Sequence, residues 1–176
     1  FGCGIVFLDV SGPLDVLDLG CGTGLAGAWL KDYARTLQGV DLSPEMAKRA
    51  RKKGLYSSVE VMDMLEFMHR EVCFPTGTEF QTVGKQKGYD LVVAADSFAY
   101  VGRLEKVFAA ACSILRTGGL FAFTVEGVPS DVECSAAGGF RLLTTGRFGH
   151  TASYVDTVLA DTFGTRVTGE HNKHAG

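Results

Sequence analysis

Residues 16–24 read Val-Leu-Asp-Leu-Gly-Cys-Gly-Thr-Gly, an apolar run carrying one acid and ending in alternating glycines. The run Leu14–Leu19 predicts a β-strand, and Gly20, Gly22 and Gly24 predict a sharp turn in which backbone can approach a ligand closely. Leu25, Trp29 and Tyr33 then recur at helical spacing, so the turn opens into a helix whose amino terminus offers free N–H groups. Gly22, Gly24 and Gly27 also satisfy the GxGxxG pattern of dinucleotide sites, a weak signal alone. Asp18, two residues before Gly20, argues against that reading, because a pyrophosphate beside a carboxylate is unfavourable at short range. A ligand with a cationic amino-acid end, such as S-adenosylmethionine, suits an acidic turn.

Outward from this turn, short β-rich runs alternate with helical patterns, the signature of a parallel sheet covered by helices. Strands are expected at Thr36–Asp41, Ser57–Met62, Tyr89–Ala95 and Leu120–Val125. The helix after Asp41 is marked at both ends. Ser43 can cap it, Pro44 and Glu45 suit its first turn, Lys48, Arg49, Arg51, Lys52 and Lys53 gather toward its end, and Gly54 closes it. That basic cluster reads as a solvated helix face rather than a nucleic-acid patch. A short helix is expected near Met64–His69, and residues 70–88 read as a loop or small insertion. Leu104, Val107, Phe108, Ala111 and Leu115 trace a further helix, ended by Gly118 and Gly119. A strand at Phe140–Leu143 and a helix near Ser153–Phe163 complete the pattern. The expected fold is α/β: a Rossmann-like, doubly wound, mostly parallel sheet flanked by helices in three α/β/α layers.

The chain has 176 residues, the size of one domain, with 46% hydrophobic and 21% charged residues, as expected of a globular protein. A net charge of −3 disfavours a sequence-independent grip on nucleic acid. Cys3, Cys21, Cys73, Cys112 and Cys134 form no CxxC pair, so neither a zinc site nor a disulfide framework is expected, and the thiols suit a reducing, cytoplasmic setting. No apolar run approaches the length of a membrane span, and the apolar segment 1–10 lacks a basic leader.

Acids end three consecutive strands: Asp18, Asp41 and Asp63. Open α/β sheets bind ligands at that edge. Asp41 follows Gly20 by about the 20 residues expected of an acid reaching a ribose, and a carboxylate can accept from both hydroxyls. Asp63 can accept from an adenine amino group, and Leu42 and Met46 can supply apolar contact to the ring.

Taken in order, VLDLGCGTG, GVDLSPEM, Asp63 in VMDM, YDLVVAADSFAYVG and LRTGGLFAFTVE resemble the successive motifs of class I S-adenosylmethionine-dependent methyltransferases, from about Leu14 to Glu126. The resemblance implies that Asp18 and Gly20, Cys21 and Gly22 hold the methionine part of the cofactor S-adenosylmethionine, with Leu19 and Gly24 also in the cofactor site. It assigns Asp41 to the ribose, Asp63 with Met64 to the adenine, and Asp96 to the methionine moiety or the acceptor. The stretch GFRLLTTGRFGHTASYV is similar to a methyltransferase subgroup sometimes attached to tetratricopeptide repeats, and the motifs more distantly resemble ubiquinone-type and other small-molecule methyltransferases. Residues 1–176 are therefore expected to be one methyltransferase domain, with a cofactor-binding core at about 14–126 and substrate-side and closing elements at about 127–176. The resemblance also implies helices before the first strand and a closing antiparallel pair that are incomplete here, so truncated ends are expected.

Methyl transfer from a sulfonium is a direct displacement needing alignment and water exclusion more than a dedicated catalytic group. If the acceptor must lose a proton, His150 is the candidate base, with Tyr100, Arg147 and Tyr154 as candidate acceptor contacts; Arg147 and His150 also read as residues that only tie a loop to the helix that follows, and Tyr100 as a packed aromatic. His69 reads as a surface residue, and His171 and His174 lie in a polar tail. The acceptor itself is not encoded in these motifs, although a small molecule is favoured over nucleic acid or membrane. A non-catalytic domain binding S-adenosylmethionine or S-adenosylhomocysteine, and a nicotinamide-dependent oxidoreductase, remain as alternatives.

Overall fold

The computed structural model of the chain describes residues 12–73, 88–128 and 138–164. The expectations for residues 1–10, for most of the 70–88 loop and for the polar tail with His171 and His174 lie outside these residues. Five parallel strands form the central sheet: β1 (Leu14–Leu19), β2 (Ala34–Asp41), β3 (Ser58–Val61), β4 (Tyr89–Ala94) and β5 (Leu115–Phe123), in the order β3-β2-β1-β4-β5. The chain runs outward from β1 to β3, then returns past β1 to β4. This reversal leaves the crevice between the carboxyl ends of β1 and β4 open to a ligand.

Alternation along β1 divides the core. Leu14 and Val16 face a cluster with Leu37, Leu30 and Tyr56, on the side of α1 (Leu25–Leu30) and α2 (Pro44–Lys52). Leu17 and Leu19 face the larger cluster, covered by α3 (Met64–Cys73), α4 (Glu105–Ile114) and α5 (Ala152–Phe163). Three layers result, as the alternation of elements predicts. A second sheet of short strands, β6 (Glu126–Gly127), β7 (Phe140–Leu142) and β8 (Phe148–His150), has the order β6-β8-β7. Among the described residues no helix is long and apolar enough to cross a membrane.

Three elements differ from the sequence reading. The helix expected near Met64–His69 runs on to Cys73, taking in residues 70–73 of the expected loop. The helical stripe ending at Leu115 stops one residue earlier. Leu115 already pairs with Tyr89 in β5, and Leu120 then pairs with Leu91, so Arg116–Gly119 bulge out within the strand, with Gly118 at φ 80°. The bulge aims Arg116 at Asp15 (2.7 Å) and Asp90 (2.7 Å) beneath the sheet. The stripe Leu25, Trp29 and Tyr33 is genuinely periodic, yet Trp29 is 81% exposed and Tyr33 lies beyond the end of α1. The buried face of α1 is Gly27, which packs against the Tyr56 ring.

Asp15 accepts from Arg35, Thr36 Oγ1 (2.7 Å) and Arg116 Nη2 (2.7 Å). The guanidinium of Arg35 is the main cause holding its carboxyl well below the usual carboxylate range. Such a group adds stability above its unfolded pKa of about 3.9 and loses it as pH falls toward its native value. Acid melts should therefore show the wild type losing stability below about pH 4 more steeply than Asp15→Asn. Parallel acid profiles for the two proteins would remove the assigned role of Asp15.

Candidate functional site

The Gly20–Gly24 turn is tied to the end of β2 rather than to its own helix. Gly20 N–H and Cys21 N–H both donate to the Val40 carbonyl (2.8 and 3.0 Å), and Gly24 N–H closes onto Cys21 O (2.8 Å). The Asp41 carboxylate completes the tie: Oδ2 accepts from Gly22 N–H and Oδ1 from Ser43 N–H, each at 2.8 Å. Ser43 in turn caps α2 by accepting from Met46 N–H. Asp41 is thus fixed by backbone amides at the crevice edge, and each of its oxygens has a second lone pair for an incoming hydroxyl.

Gly20 must be glycine for two reasons. Its φ is 70°, and a Cβ there would lie 2.6 Å from Ser97 Cβ, across the β1–β4 crevice. Cys21 turns its side chain inward against Ala47, Ala50 and Val59, so only its backbone faces the turn; burial pushes its thiol up to about 12.

Asp18 is only 1% exposed. Its Oδ2 accepts from the Tyr56 hydroxyl at 2.7 Å, while Oδ1 has no hydrogen-bond partner among the described residues. Burial, with the nearby Asp41 charge, pushes the carboxyl up to about 6 against the lowering effect of the Tyr56 hydrogen bond. Among the described residues Ser97 Oγ is also buried without a hydrogen-bond partner, as is Glu126 Oε2, which has only the longer ion pair with Arg147 Nη1 at 3.8 Å. A buried polar atom without a partner is costly. These three follow or end β1, β4 and β5, the edge where an open α/β sheet takes its ligand.

Along the same edge, Asp63 Oδ1 accepts from Leu65 and Glu66 N–H (2.8 and 3.2 Å) and so caps α3, leaving Oδ2 without a hydrogen bond among the described residues. Leu42 is exposed, and Met46 and Met64 are partly exposed. Beyond β4, Asp96 takes a left-handed φ of 56°, with its N–H held by Thr124 Oγ1 at 2.8 Å. Arg147 pairs with Asp96 at 3.1 Å, approaches Glu126 at 3.8 Å and lies 5.6 Å over the Tyr100 ring. Tyr100 itself is 67% exposed. The structure therefore brings Asp96, Tyr100 and Arg147 together, with Glu126 as an unanticipated fourth member.

Of the two readings of His150, the structure matches the loop tie and not an accessible base, and Tyr154 is placed differently from the expected acceptor contact. The His150 ring is 1% exposed, its Nε2 is 3.0 Å from the Gly102 carbonyl, and burial lowers its pKa. Tyr154 stacks on that ring, accepts from Leu104 N–H (2.9 Å) and donates to Glu105 (2.9 Å). Together they lock β8 and α5 against the start of α4. Sequence reasoning also passed over Tyr56, which lies outside the motifs, and Ser97, which lies inside one but carries no assigned role; what marks them is contact with Asp18 and Gly20.

The methyltransferase-domain family matches residues 16–119, more than half of the chain. Methyltransferase GfsG of Streptomyces halstedii is 31% identical over 148 residues, covering 80% of this chain and 49% of that protein. A ubiquinone biosynthesis O-methyltransferase of Xanthomonas oryzae pv. oryzae is 29% identical over 143 residues, covering 79% and 55%. Among solved structures, an S-adenosylmethionine-dependent methyltransferase from Mesorhizobium loti superposes with a TM-score of 0.62 at 22% identity, covering 86% of this chain and 74% of that one. That similarity concerns the fold, a Rossmann-like methyltransferase sheet. The chain belongs to the methyltransferase-domain family, and it spans about half the length of the curated relatives it matches.

Proposed function

We propose that this chain transfers a methyl group from S-adenosylmethionine to a small-molecule acceptor. The observation that carries the reading is the buried Asp18 with one unpaired oxygen, beside a glycine turn held by Asp41. An ammonium satisfies that oxygen, whereas a dinucleotide pyrophosphate would be repelled by it. S-adenosylmethionine supplies a methyl group already activated on a sulfonium.

In this reading Asp18 Oδ1 accepts from the amino-acid end, with the backbone of Leu19, Gly20, Cys21, Gly22 and Gly24 around it. Asp41 accepts from the ribose hydroxyls, and Asp63 Oδ2 from the adenine amino group. Leu42, Met46 and Met64 supply apolar contact to the ring. Asp96 stands where the methionine part and the acceptor meet, and Tyr100 and Arg147 line the acceptor side. The protein's contribution is alignment and water exclusion, and we assign no base role to the buried His150. A small-molecule acceptor is favoured by the name of the ubiquinone O-methyltransferase relative and by the net charge of −3, which suits nucleic acid poorly. The stretch from Gly139 to Val155 supports placement in the subgroup linked to tetratricopeptide repeats, and 1–176 is read as a single domain.

Calorimetric titration with S-adenosylhomocysteine, with NAD as control, tests the donor site. Binding of the former alone is expected. A folded protein that binds neither would end the reading. Tight binding with no methylated product from any acceptor pool would instead indicate a cofactor-binding domain without catalysis.

A further inference from the structure

Tyr56 lies between α2 and β3, outside every motif of the cofactor site, yet three glycines from three elements make room for its ring. A Cβ at Gly24 would lie 2.9 Å from Tyr56 Cε2, one at Gly27 2.5 Å from the phenol oxygen, and one at Gly39 3.0 Å from Cδ1. The first two contacts could form only if the ring moved, and the third would press it aside by a few tenths of an ångström, so the slot depends on the turn, α1 and β2 each lacking a side chain at that point. A slot that merely needed filling would accept any ring. This one ends on a polar contact: the hydroxyl donates to Asp18 Oδ2 at 2.7 Å, leaving Oδ1 buried and without a hydrogen-bond partner among the described residues.

We infer that Tyr56 is a positioning residue, which clamps one oxygen of Asp18 and thereby presents the other, ionised, to the cationic amino-acid end of the methyl donor. This rests on the donor-site reading above. A carboxylate with one oxygen held cannot rotate away from the turn, and a donated hydrogen bond favours its charged form against the burial that opposes it. Among the described residues the titratable groups facing Asp18 are few. β2 contributes the Asp41 charge, the turn contributes the Cys21 thiol, and the segment before β3 contributes Tyr56. At the end of α2, Arg51 is engaged by the Val59 carbonyl and Lys53 by Gly24 O. Residues 25–30 of α1 have no titratable side chain, and β4 places Val93 opposite Asp18. Cys21 is pushed up to about 12 and Tyr56 is also raised, so neither ionises near neutrality. Asp18, at about 6, is then the group whose titration the ligand would report.

The experiment is calorimetric titration with S-adenosylhomocysteine between about pH 5 and 7.5, where its ammonium stays charged. The proteins are the wild type, Tyr56→Phe, Asp18→Asn and the double variant. Wild-type affinity should be level above about pH 6 and fall roughly tenfold per unit below it. Tyr56→Phe keeps the ring but should move that breakpoint up by about one unit, weakening binding at pH 6 about fivefold. Asp18→Asn should bind weakly with a flat profile, and adding Tyr56→Phe to it should change nothing further. Gly27→Ala, whose Cβ displaces the phenol oxygen while suiting a helix, should reproduce the shift and serves if Tyr56→Phe does not fold. An unchanged breakpoint in Tyr56→Phe or Gly27→Ala, or an equal loss with and without Asp18, overturns the positioning role while the donor site stands. A folded wild type that does not bind overturns both.

Discussion

Asp41→Ala should weaken S-adenosylhomocysteine binding by two to three orders of magnitude while leaving the protein folded. The side chain does two jobs with the same two oxygens. Oδ2 and Oδ1 accept from the amides of Gly22 and Ser43, at 2.8 Å each, fixing both the glycine turn and the start of α2 relative to the end of β2. In the proposed complex the remaining lone pairs accept from the ribose. Hydrogen bonds to a charged acceptor contribute about 1.5–3 kcal/mol each, and a mobile turn must be reordered on binding, so a total loss of about 3–4 kcal/mol follows. Asparagine should not rescue it. Its amide has one acceptor oxygen, and its NH2 group would face one of the two backbone donors. Calorimetry on Asp41→Ala and Asp41→Asn, each checked for an intact melting transition, decides this; affinity within about fivefold of wild type in either variant would mean the ribose is held elsewhere.

The two acids of β1 show how position along one strand sets opposite chemistry. Asp15 and Asp18 lie on the same strand, but Asp15 sits at the amino-terminal edge with Arg35, Thr36 and Arg116 and is held ionised. Asp18 sits at the carboxyl-terminal edge, buried, with one phenol as donor and another acid nearby. Burial that raises an acid's pKa favours folding at low pH, and that contribution disappears as pH rises from about 3.9 through about 6. At neutral pH the fold therefore carries a poorly solvated charge at Asp18, which the cationic end of the proposed ligand would relieve. Strongly shifted groups beside a crevice are a usual mark of a working site.

The strands β1, β2 and β4 and the acids at or near their ends were legible because their signals are local. An apolar run ended by glycine or aspartate specifies both the strand and its ligand-facing edge. The start of β5 was not legible, since Leu115 continues the helical stripe of α4; its pairing with Tyr89 and the anchoring of Arg116 on Asp15 and Asp90 decide the matter from a distance. Periodicity likewise gives a helix at Trp29 but not its buried face, which depends on Gly27 meeting Tyr56. Sequence left His150 open between a base and a loop tie because its partner, the Gly102 carbonyl, lies 48 residues away. The proposed cofactor side of the site rests on local motifs, whereas the proposed acceptor side rests on long-range contacts, so only the first could be read in detail.

The largest effect on stability is expected at Phe108. Its ring is fully buried and meets Phe123, Phe121, Phe98 and Phe163 with centroids at 4.8, 5.2, 5.8 and 6.5 Å. It thereby joins α4 to β5, to α5 and to the turn carrying Phe98. Truncating such a residue removes its transfer free energy and leaves a cavity, so Phe108→Ala should cost about 3–5 kcal/mol. For a chain of this size that lowers Tm by roughly 6–20 °C. Phe108→Leu, which keeps most of the volume, should cost under about 2 kcal/mol. The cavity would also lie under the site, since Phe98 follows Ser97, whose Cβ abuts Gly20 across the crevice. Phe98 keeps its contacts with Phe121 and Phe123 at 6.0 and 5.8 Å, so the ligand affinity of the folded variant should fall less than that of Asp41→Ala. Thermal melts with and without S-adenosylhomocysteine separate the two effects. A Tm within about 3 °C of wild type would show that the aromatic cluster can close over the cavity and that Phe108 is not its centre.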